Sequence, residues 1–148
     1  MLALPPHISR IGLYTGQMYL ISALYFTHSK KTNLAIISSS IYATTMIHWH
    51  NIKSSGVAKT VDLAVVTASI LFVTFRESYN FLNHGRKIWN SVILVSIISY
   101  ITNTVVTTVP VLQMTSEFFT PEKIQLLTTV SHTFWLHIMP SLTAMWCA

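Results

Sequence analysis

Two histidines, His48 and His50, close an apolar run in "TTMIHWHN" (Thr44 to Asn51), and two more, His132 and His137, stand five apart in "SHTFWLH". A carboxylate, Asp62, lies one turn inside another apolar run. Neutral imidazoles with a nearby carboxylate suit Zn2+, the imidazoles as ligands and the carboxylate as an orienting partner. One imidazole from each of two helices could instead hold haem iron. The plainer reading gives the histidines to helix–helix contacts and Asp62 to the favourable field of a helix N-terminus.

The elements that must position these groups follow from composition. Of 148 residues, 51% are hydrophobic and only 9% are charged, against about 25% charged in soluble domains. The polar remainder is mostly Ser, Thr and Asn, which can return hydrogen bonds to a helix backbone inside a bilayer. These features predict an all-α integral membrane bundle of about five transmembrane helices, in contact with membrane lipids. The net charge of +5 is scattered through the connections, where basic residues flank membrane spans, and does not point to nucleic acid. The lone Cys147 rules out an internal disulfide framework. The opening "MLALPPHISR" lacks the layout of a cleavable signal, so insertion is expected through the first span.

Five apolar segments form a single polytopic unit, at about 11–27, 34–50, 60–75, 88–109 and 124–148. Thr32 or Asn33 is a candidate cap for the second. Thr120 can cap the fifth, with Pro121 in its first helical position. The first and third are shorter than the ~20 residues a span usually needs. Trp49, Trp89 and Trp146 fall near segment ends, as an aromatic belt at the membrane interfaces requires, whereas Trp135 does not. Alternating crossings put Ser54 and Glu117 on one face and Lys31 and Asn83 on the other. Lys30, Lys31, Arg76, Arg86 and Lys87 on one side against Arg10, Lys53, Lys59 and Lys123 on the other favour an outside N-terminus.

The same alternation gathers the chemistry. The second segment ends at His48 and His50, the third starts at Asp62, and the fifth starts on the same face and carries His132 and His137. Two residues apart, His48 and His50 point to opposite sides of a helix, so one faces the bundle and the other the headgroups. Five apart, His132 and His137 are separated by about 140° on a regular helix. A π-bulge would bring them onto one face. Pro140 favours such an irregularity, because it denies the Leu136 carbonyl its usual donor.

In order and type these residues resemble the CREST superfamily, which includes alkaline ceramidases and the progestin and adipoQ receptors. That family has a Ser four residues before a His at the end of one span, an Asp at the start of the next and a His pair in the last. Thr44-x-x-x-His48, Asp62, and Ser131-His132 with His137 follow this order. Thr44 replaces the Ser, the last pair is five apart instead of four, and five spans stand where the family has seven. The resemblance implies three zinc ligands, His48, His132 and His137. It also implies Asp62 as the group that orients or deprotonates a zinc-bound water, assisted by Thr44, in the hydrolysis of a lipid amide or ester. Two other functions suit the composition. One is a non-catalytic subunit of a larger membrane assembly, its polar groups bonded to neighbouring subunits. The other is a haem protein, which is less favoured because none of Gly12, Gly16, Gly56 and Gly85 adjoins these histidines in sequence.

Overall fold

The computed structural model describes residues 5–50, 56–82, 84–108 and 120–148. Among them all regular structure is helical: α1 (Pro6–His28), α2 (Thr32–His50), α3 (Val57–Phe75), a 3-10 turn (Glu77–Asn80), α4 (Gly85–Thr108), α5 (Pro121–Thr133), a π-helical turn (Phe134–Ile138) and α6 (Met139–Cys147). The last three form one continuous rod. Ser54, Asn83, Glu117 and Lys53, used above to argue sidedness, and Val109, the expected end of the fourth segment, lie outside the described residues.

Local chemistry explains the boundaries. Pro6 starts α1 where a missing N–H has no helical partner to lose. The helix stops as Lys30 enters the left-handed region (φ 57) and the Lys31 N–H turns back to the Phe26 carbonyl. α2 then begins at Thr32, so Lys31 precedes it and Asn33 is already helical. Asn33 ties this start of α2 to the 3-10 turn, its amide donating to Glu77 Oε1 at 2.9 Å. The Thr120 cap forms as expected, its hydroxyl accepting from the Lys123 N–H at 3.3 Å. α1 and α3, at 23 and 19 residues, outrun their apolar segments because helical winding continues into the flanking polar turns.

Successive rods run in opposite directions. At one end of the bundle His7 meets Glu122 at 3.4 Å, joining the starts of α1 and α5. Thr44 on α2 meets Asp62 on α3 at that end. At the other end the Leu82 N–H donates to the Cys147 carbonyl at 2.9 Å. Gly85 allows this approach: a β-carbon there would stand 3.0 Å from Cβ of both Cys147 and Phe81. The buried core gathers at this second end around Phe26, Leu34, Val73, Phe81, Trp89 and Ala144.

Trp49 and Trp89 belong inside the bundle, contrary to the belt expected of them. They are 6% and 4% exposed, whereas Trp146 is 72% exposed. Proximity to a helix end does not decide burial when another helix packs over that end. Outward, α3 and α4 present Leu63, Leu71, Phe75, Leu94, Ile98 and Ile101. These two helices are long and apolar enough to cross a membrane.

Candidate functional site

The π-helical turn sets the site. Pro140 has no N–H, and the Met139 N–H donates to the Phe134 carbonyl in the wider register. The carbonyls this leaves short of donors are met from other helices. Tyr19 on α1 donates its hydroxyl to the Leu136 carbonyl, and Ser96 on α4 donates to the Trp135 carbonyl. A sequence-local irregularity is thus held by two long-range hydroxyls.

With one extra residue in that turn, His132 and His137 come together, ring centroids 5.4 Å apart and edge-on. His137 is buried, and its Nδ1 lies 3.1 Å from the Thr15 hydroxyl on α1. Tyr19 tilts against His137 at 5.5 Å, and Tyr100 on α4 against His132 at 6.2 Å.

His48 and His50 divide as the helix period requires, His48 half-buried and His50 exposed. Trp49 between them points into the bundle, its ring centroid 5.3 Å from His48, 6.1 Å from His132 and 6.3 Å from His137. Gly12 makes room for it: a β-carbon at Gly12 would lie 2.1 Å from the indole. Gly12 therefore adjoins the histidine cluster in space, and the room it leaves is filled by the Trp49 ring. The Trp49 Nε1 is buried and meets no hydrogen-bond partner among the described residues.

Asp62 is half-buried and lies five residues into α3, beyond its first turn. The N-terminal dipole thus gives it less than the short helix expected from sequence would have given. Its Oδ1 accepts from the hydroxyls of Thr44 at 2.8 Å and Thr45 at 3.0 Å. The Thr44–Asp62 pairing joins two of the residues carried by the resemblance. Thr45, almost fully buried, was not singled out from sequence. Ser131 faces elsewhere, its hydroxyl 3.0 Å from that of Ser99 on α4.

The structure therefore joins His132 to His137 and Thr44 to Asp62, and connects His48 to the histidine pair through the Trp49 ring. Among the described residues no three His, Cys, Asp or Glu side chains stand together so as to hold a metal ion. As they stand, the imidazoles of His48, His132 and His137 do not form a zinc ligand set. Thr15, Tyr19, Tyr100 and Gly12 complete the cluster; in the sequence they are ordinary residues of apolar segments. No family model matches the chain, and no curated protein or solved structure matches it.

Proposed function

We propose that the chain is an integral membrane protein of about five crossings whose working centre is its histidine end, acting on an amide or ester carbonyl of a membrane lipid. The observation that supports this reading is the π-helical turn, which pairs His132 with His137 at 5.4 Å. The pair stands at the same end of the bundle as the hydroxyl-bound carboxylate of Asp62. A neutral imidazole can accept a proton from a water attacking a carbonyl. Asp62, held by two hydroxyl donors, is the group this reading assigns to orienting that water. Binding of Zn2+ by three imidazoles requires His48 to close on the pair, and hence a movement of Trp49 off Gly12.

One specific observation favours a second reading, the non-catalytic membrane subunit. Asp62, His137 and the carbonyls around Pro140 are all bonded within the chain, as groups that serve only to fasten helices would be. Protein purified in detergent without chelator separates the two readings. The hydrolase reading expects release of fatty acid from amide- or ester-linked lipids in a panel assay, loss of that activity in His132→Ala and Asp62→Asn, and wild-type activity in His50→Ala. Stoichiometric zinc that His132→Ala removes would establish the metal form. Absence of both zinc and hydrolysis, with companion proteins retained on purification, decides for the subunit. Extraction of the chain from membranes by alkaline carbonate without detergent would refute the membrane placement that both readings share.

A further inference from the structure

Between the histidine end and the apolar core lies a partly open cavity of about 50 Å³. Its walls are largely hydrocarbon, from Phe26, Leu34, Ile41, Val73 and Trp89 among others. Four serines interrupt them, one from each of four helices: Ser22 on α1, Ser38 on α2, Ser69 on α3 and Ser141 on α6. All four are at least nine-tenths buried, at 1%, 7%, 9% and 4% exposure. Ser22 is satisfied as a donor by the Met18 carbonyl at 2.9 Å and keeps its lone pairs. The Ser141 hydroxyl is buried with no partner among the described residues.

A buried hydroxyl without a hydrogen bond is costly, by about 1–3 kcal/mol. Ser141 lines the cavity together with the other three serines, so a molecule held there can supply its partner. Size limits the occupant. A water claims about 30 Å³ and needs roughly 10–15 Å³ of accessible volume, whereas an apolar cavity that takes a benzene ring measures about 150 Å³. Charge limits it further, because no charged side chain lines the cavity. A lone ion would be stranded among hydroxyls and hydrocarbon.

We propose that Ser22, Ser38, Ser69 and Ser141 form a buried binding site for one or two water molecules that bridge helices α1, α2, α3 and α6. Each hydroxyl can both donate and accept, and a buried water is held by two to four such partners. Ser141 donates to the water, and Ser22 accepts from it. Tyr19, which lines the same cavity and touches His137, separates this hydration site from the histidine centre by one side chain. The inference stands on the cavity alone and holds for an enzyme or a subunit alike.

The test is a high-resolution crystal structure of the full chain grown in a lipidic phase. The expected result is one or two ordered peaks within about 3.2 Å of Ser141 Oγ, each also bonded to at least one of Ser22, Ser38 and Ser69. An empty cavity, or an acyl tail threaded into it, overturns the proposal. The double variant Ser69→Ala/Ser141→Ala should lose at least one peak while the helices stay in place. If the double variant does not fold, Ser141→Ala alone should lose the peak bonded to residue 141. Unchanged water density in whichever variant folds overturns the assignment of those hydroxyls as the partners.

Discussion

The two ends of the bundle each bury a tryptophan, and they treat it differently. At the apolar end, Trp89 lies edge-on to Phe81 at 5.9 Å and donates its Nε1 hydrogen to the Thr74 hydroxyl at 3.0 Å. At the histidine end, Trp49 is as well buried, pressed onto Gly12 among three imidazoles, and its Nε1 has no partner among the described residues. The apolar end is arranged as a folding core is, with packing and polar satisfaction agreeing. The histidine end gathers rings at the expense of one donor. The contrast accompanies the pairing of His132 with His137, on which the proposed function rests.

Substitutions can break or sharpen the contrast, read as unfolding free energies in one fixed detergent. Trp89→Ala should cost the most, roughly 3–5 kcal/mol, since it empties the middle of the apolar core. Gly12→Ala should follow at about 1–3 kcal/mol, because the new methyl group meets the Trp49 ring and the ring must shift. It should also disturb the His132 and His137 imidazole resonances in NMR spectra, which Trp89→Ala should leave nearly in place. Thr74→Val should cost about 1–2 kcal/mol, as it leaves Trp89 with the unpaired donor that Trp49 already has. Trp49→Phe should cost the least, about 1 kcal/mol, because the lost ring volume is the main term and the donor it removes has no partner among the described residues. If Trp49→Phe costs clearly more than Thr74→Val, the Trp49 N–H has a partner and the two ends do not differ as described.

Much of the architecture was open to reading from residue order. Low charge and five apolar segments indicate helices, Thr120-Pro121 marks the start of the last rod, and alternating direction brings His48, Asp62 and His132 to one end. Pro140 announced the irregular turn, because a missing N–H is a covalent fact that acts on the residue four before it. The division of His48 from His50 follows equally from the helix period alone. These are consequences of local bonding, which the chain carries wherever it folds.

Only the tertiary structure decided how each rod turns about its axis. The rods are apolar on nearly every side, so hydrophobic pattern does not mark which face meets another helix and which meets the surroundings. Trp49 and Trp89, both near segment ends, could not be told from the exposed Trp146. Thr15, Tyr19, Ser96 and Gly12 became partners of the histidine end through contacts between residues far apart in the chain. The four cavity serines likewise meet only because four helices each turn a small polar residue inward. Spacing along one helix tells which residues share its side, but the side chosen depends on how the neighbouring helices pack.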